Sequence, residues 1–169
     1  MKHEDRDAHV EGRLAALDVR FDYDRMERSL RIAYSVRNLS DAPLMVLDRG
    51  VAVAGKRAGA APYSTIDGEA LTLSHQALAL PKPAPTVPRV ALAARVERNA
   101  THAGEATGSV PDSMRRVRYC LGIAPFSADA FTASEAEAAV WRASFGVASS
   151  QTLLCTPWFD VSEERFLRD

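Results

Sequence analysis

The sequence is poor in the residues that most often carry chemistry. It holds two cysteines and four histidines in 169 residues, and lysine supplies only three of its 21 basic side chains. No apolar run approaches the roughly 20 residues that a membrane helix needs, so no membrane span is expected. Formal net charge is −1, which leaves no global field to draw the chain to nucleic acid or an anionic surface. The opening "MKHEDRDAHVEGR" is too charged for a secretory signal. The expected compartment is cytoplasmic where Met1 is the native start, and periplasmic or extracellular where a signal has been removed. Scarce lysine and abundant alanine read as the coding bias of a GC-rich bacterium.

What is present is alternation. Leu17, Val19, Phe21 and Tyr23 interleave with Asp18, Arg20, Asp22 and Asp24, a period of two with one face buried and one wet. Leu30, Ile32, Tyr34 and Val36 repeat the pattern, with "DRMERS" as the hairpin connection. "NLSDAP" (38–43) is turn chemistry, and "LMVLD" follows as a third strand, so the three read as an antiparallel meander. "IDGE" (66–69) is a hairpin signal, because Asp-Gly suits the positive φ of a type I′ turn. It joins a short strand near Tyr63 to "ALTLSHQAL". Further strands are expected at 90–96, weakly near Ser109, at 116–123 and over "SSQTLLCTPW". "SEAEAAVWRA" (134–143) is the one helical candidate, with Ser134 as its cap. "SEERF" (162–166) reads as a terminal turn. Residues 1–12 lack periodicity and are expected to form a flexible tail.

Some eight or nine short strands separated by turns predict an all-β fold: an antiparallel β-sandwich with one short helix or long loop in its second half. "LPKPAPTVP" (80–88) packs four of the nine prolines into eight positions. A domain boundary there would leave halves of roughly 75 residues, and domains that small are marginal without disulfides or metal. The segment is therefore expected to cross from one sheet to the other within a single domain spanning 13–169. Its Pro-x-x-Pro spacing also fits a docking ligand, but such matches are frequent by chance.

Motifs that suggest chemistry dissolve on inspection. "GVAVAGKR" (50–57) spells Gly-x4-Gly-Lys, but Arg57 stands where a phosphate loop needs a magnesium-binding hydroxyl, and Pro62 stops any following helix. Asp22, Asp24 and Glu27 lack the glycine and further oxygen ligands of a calcium loop. His3, His9, His75 and His102 have no metal-ligand spacing. Cys155 lacks the nearby His of a copper sandwich. Gly-x-Ser-x-Gly is absent, and adjacent Ser74 and His75 point to opposite sheet faces. No catalytic residue, metal or cofactor is assigned.

The run "LRIAYSVRNLSDAPLMVLD" (30–48) resembles the early strands of many bacterial immunoglobulin-like domains: an alternating strand, an Asn-x-Ser-Asp-x-Pro turn, then an apolar strand. The resemblance covers about 20 of 169 residues. It implies an immunoglobulin-like sandwich, and binding, inhibition, adhesion or structural roles more often than catalysis. The leading expectation is a non-enzymatic module that binds a protein or peptide, with an edge strand offering a route to a homodimer. The alternative is a small-molecule binder or enzyme whose site assembles only in three dimensions.

Eight of the twelve aromatic residues lie beyond residue 115. Phe126, Phe131, Trp141 and Phe145 fall in a long Ser/Ala-rich connection, and long connections tend to be functional. Trp141, Arg142 and Phe131 are the candidate contact residues, since Trp and Arg are enriched at interface hot spots. The competing expectation is that this connection plugs one end of the sandwich. Cys120 shares the outward parity of Arg116 and Arg118, so Cys120 and Cys155 are read as free thiols rather than as a bridge.

Overall fold

The computed structural model describes residues 4–168. A 3-10 turn at Glu4–Arg6 leads into β1 (Asp7–Glu11), and β2 (Ala15–Asp24) and β3 (Ser29–Asn38) form a hairpin. Next come β4 (Leu44–Val46), β5 (Val51–Val53), β6 (Lys56–Gly59), β7 (Tyr63–Asp67) and β8 (Ala70–His75). Beyond the proline segment lie β9 (Arg89–Val96), β10 (Thr101–Ser109) and β11 (Arg116–Pro125). The chain ends with β12 (Phe131–Ala133), β13 (Val140–Ala143), a single helical turn α1 (Val147–Ser150), β14 (Thr152–Cys155), β15 (Phe159–Asp160) and β16 (Arg165–Phe166).

The fold is all-β, as the alternation predicts. One sheet has the order β1-β2-β3-β10. The second is larger and forks at β11. On one edge of β11 lie β4, then β9, β13 and β12, and beside β4 lie β8 and β7; on the other edge lie β14, β15 and β16. Pairing is antiparallel except between β8 and β11. The two sheets face each other across one apolar core. From the first sheet it takes Leu17, Val19, Phe21, Leu30 and Ile32, and from the second Leu71, Leu73, Tyr119, Leu121 and Ile123. Phe21 meets Phe159 and Phe166 with ring centroids 5.2 and 4.7 Å apart. Tyr34 of β3 stacks on Tyr119 of β11, and a methyl group at Gly108 of β10 would strike Leu73 of β8. Thus β3 lies over β11 and β10 lies over β8.

The larger sheet is covered on its outer face as well. There Met45, Ala93, Ala124, Phe131 and Val147 form a second apolar cluster, with Phe126 and Trp141 packed against it. Residues 126–151 make this cover, which explains why β4 is buried at three consecutive positions and β11 along most of its length. Gln151 clips the cover down, accepting from the Ala77 amide at 3.0 Å and donating to its carbonyl at 2.7 Å. Gly122 permits this close approach, since a Cβ there would lie 2.5 Å from Gln151 Oε1.

Several expectations need correction. Residues 7–11 of the expected tail form β1, paired along its length with β2; residues 1–3 of that tail lie outside the described residues. β4 does not continue a meander: it pairs with β9 and β11 in the opposite sheet. The "NLSDAP" turn is a corner held by Asn38, which is fully buried and donates to the carbonyls of Ala42 and Val96. The proline segment joins β8 to β9 within one sheet rather than crossing between sheets. The weak strand near Ser109 is the nine-residue β10, paired with β3 in unbroken register. The helix expected at 134–143 is instead a β-hairpin connection followed by β13. Ala139 takes φ of +63°, which no right-handed helix accommodates, and Val140 to Arg142 pair with β9. Tertiary pairing overrides a short alanine-rich helix, whose propensity alone is marginal.

Cys120 and Cys155 face each other directly across β11 and β14, with Cα atoms 4.0 Å apart, and are joined by a disulfide. The parity reading was right that Cys120 points away from the main core. It failed because that face is covered, and because the facing position is the other cysteine.

Candidate functional site

β9 and β13 place the expected contact residues. Trp141 pairs with Ala93 and so stands on the outer face, over the second cluster. It is half-buried, and its ring meets Phe126 edge to face at 5.3 Å. Phe131, two strand positions away across the β12–β13 pair, is only 2% exposed and supports Phe126 from beneath at 6.4 Å. Arg142 follows Trp141 in the strand and therefore projects to the opposite face, where it is exposed. The structure brings Phe131 and Trp141 together and separates both from Arg142.

The cation beside Trp141 is Arg95, which the sequence reading missed. Arg95 pairs with Met45 across β9 and β4, on the same outer face. Its guanidinium lies 4.5 Å from the Phe126 ring centroid and 5.5 Å from that of Trp141. Glu97 accepts from its Nε at 2.9 Å and holds the head group in place. The signal was available, because Arg95 interrupts the apolar run "VALAARV" at an outer-face position. Phe145, four residues beyond Trp141 in the chain, is also exposed. A half-exposed tryptophan with a stacked cation, on a floor of buried rings, is a small, rigid, amphipathic surface.

A second constellation lies between the sheets, and sequence reasoning missed it entirely. Asp48 follows β4, and its side chain is 2% exposed. Its Oδ2 accepts from the Tyr34 hydroxyl at 2.6 Å and from His102 Nε2 at 2.7 Å. Both donors belong to the opposite sheet. Burial alone would raise the Asp48 carboxyl, but the bonds and charge of His102 and the Tyr34 bond outweigh it and hold the group below its ordinary value. Burial, then the Asp48 charge, pushes the Tyr34 phenol well up. Gly104 makes the geometry accessible: a Cβ there would sit 2.4 Å from the Tyr34 hydroxyl oxygen.

His75 continues this polar chain. Its Nε2 must donate to the Ala60 carbonyl at 2.8 Å, so its Nδ1 accepts the Tyr119 hydroxyl proton at 2.6 Å. Burial lowers the His75 pKa, and burial raises that of Tyr119. The ring is therefore a neutral, doubly bonded strut. Neighbouring Ser74 accepts from Gln76 at 2.8 Å and is not a partner of His75. His75 and Gln76 line a cleft of about 150 Å³ with Tyr63 and Arg89. An adjoining apolar groove of about 310 Å³ runs beneath Leu80, Pro81, Pro85 and Val87. Among the described residues no cluster of His, Cys, Asp or Glu is arranged to hold a metal ion. No described helix is long and apolar enough to cross a membrane.

The chain matches no protein-family model, no curated protein and no solved structure.

Proposed function

We propose that this protein is a non-enzymatic binding module that holds a protein or peptide partner on the outer face of its larger sheet, through Trp141, Phe126 and Arg95. Phe131 serves as the buried floor of that surface. The observation that carries the reading is the half-buried Trp141 with the Arg95 guanidinium stacked beside it. Aromatic and Arg anchors on a rigid base lose little entropy on binding. Arg142 lies on the other face and contributes only if the partner wraps the sheet edge at β12. Catalysis is the weaker reading, because His75 has both ring nitrogens engaged by Tyr119 and Ala60 and offers neither to a substrate.

The test compares the wild type with Trp141→Ala and Arg95→Ala in partner capture from the source organism, with thermal unfolding run in parallel. The expected result is that one discrete partner is retained by the wild type and lost by both variants, with unfolding little changed. Retention by both variants would overturn this surface as the site.

A further inference from the structure

The two sheets are not equally wide at one margin. β3 lies over β11 and β10 lies over β8, as the Tyr34–Tyr119 stack and the Gly108–Leu73 approach fix. The next strand outward in the larger sheet is β7, paired with β8. In the smaller sheet β10 is the last strand, and among the described residues no strand pairs with its other edge. β7 therefore has no strand above it. Ile66 registers with Leu71, and cross-strand partners share a face, so Ile66 points to the same side as the core residue Leu71. It is nonetheless 54% exposed. An inward-facing isoleucine left wet marks the place of one more strand.

We propose that the free edge of β10 accepts an extended peptide segment of a partner protein, which adds as a further strand and covers Ile66. This site is separate from the Trp141 surface and does not depend on it. Three features define the occupant. The β10 edge offers alternate backbone donors and acceptors over nine residues, uninterrupted by proline or a bulge, which suits an extended chain. Inward-facing positions of the added strand lie beside Gly104, Ala106 and Gly108, whose small size leaves the space over Ile66 to be filled by apolar, β-branched side chains. Glu105 stands exposed at the middle of the outward-facing row, with no ion-pair partner among the described residues, so the facing residue is Lys or Arg. The segment is thus apolar–basic–apolar at its centre. A second copy fits less well, because antiparallel pairing of β10 with itself about its centre sets Glu105 against Glu105, and like charges directly opposite destabilise a strand pair.

The probe is a capped nonapeptide with threonine at odd positions, valine at even positions and lysine at the fifth. It is titrated into the full chain and followed by amide chemical shifts and hydrogen exchange. The expected result is saturable shifts and new amide protection along 103–109 and at 64–67, with none at Trp141. Ile66→Asp, a change at an exposed position, is expected to weaken binding about tenfold. Glu105→Lys is expected to weaken it about threefold to tenfold, and a glutamate-centred peptide to restore it. Absence of binding, shifts located elsewhere, or indifference to both substitutions overturns the proposal. So does self-association that already protects 103–109 without peptide, which would make a second copy the occupant.

Discussion

The β2–β3 hairpin and β11 are strands of equal length with opposite lessons. Each of the three spans ten residues. In β2 and β3, buried positions alternate with exposed or half-buried ones through most of the hairpin, because the outer face of their sheet meets water. In β11, burial is almost continuous from Tyr119 to Ala124, because its sheet is packed on one face by the other sheet and on the other by residues 126–151. A period of two identifies the core face where one side is wet. It cannot say whether the second side is bare or covered.

The largest loss of stability is expected in the main core. Phe21→Ala removes a fully buried ring from the Phe159–Phe166 contact. It is expected to cost about 3–5 kcal/mol in urea unfolding. A loss below that of Phe131→Ala in the outer cluster would reverse the ranking of the two layers. Next is the bridge that ties β14 to β11. Replacing Cys120 and Cys155 by Ser opens a loop of 35 residues and is expected to cost about 3–4 kcal/mol in the chain-entropy model. Alkylation of the unfolded, unreduced chain should add no mass.

Smaller effects probe the polar chain between the sheets. Tyr34→Phe deprives Asp48 of a donor and is expected to cost about 1–3 kcal/mol. Stability should also fall on acidification, in two windows. The His75 pKa is lowered in the folded state, so below its ordinary 6.5 the unfolded chain takes up a proton that the native ring refuses. The Asp48 pKa is likewise lowered, so its contribution, complete above 3.8, is lost as pH falls through the folded value. Urea midpoints at pH 7.5, 6 and 5 test the first window, and His75→Gln should remove that slope. The smallest change is expected at the surface: Trp141→Ala should shift stability by less than about 2 kcal/mol, since the ring is only half-buried. A larger loss would make Trp141 part of the fold rather than a contact residue.

Much of the local structure was legible. The hairpin at 24–29 is stabilised as its residues suggest, with the Asp24 carboxylate accepting from the amides of Met26 and Glu27. The hairpin expected at 66–69 joins β7 to β8, but its two turn residues are Gly68 and Glu69, with Asp67 still in β7; only Gly68 takes a positive φ, +61°, so the turn is not the Asp-Gly type I′ turn expected. Of the candidate surface, Trp141 and Phe131 were named from the sequence, and Arg95 was not. Adjacency in the chain favoured Arg142, whereas adjacency across β9 and β13 decides which cation reaches the ring. The Asp48 network was invisible because its members come from five separate segments: β3, the β4 exit, β8, β10 and β11.

The all-β class, the longer alternating strands and most turns follow from the sequence alone, because side-chain alternation and turn chemistry act over two to six neighbouring residues; the short strands β1, β12 and β13 do not. The tertiary structure alone decided which sheet β4 joins, that 140–143 is strand rather than helix, that Cys120 meets Cys155, and that β7 extends beyond the last strand above it. Those outcomes turn on which faces are covered and which distant backbones pair, and burial of that kind is a property of the assembled layers, not of any window of the chain.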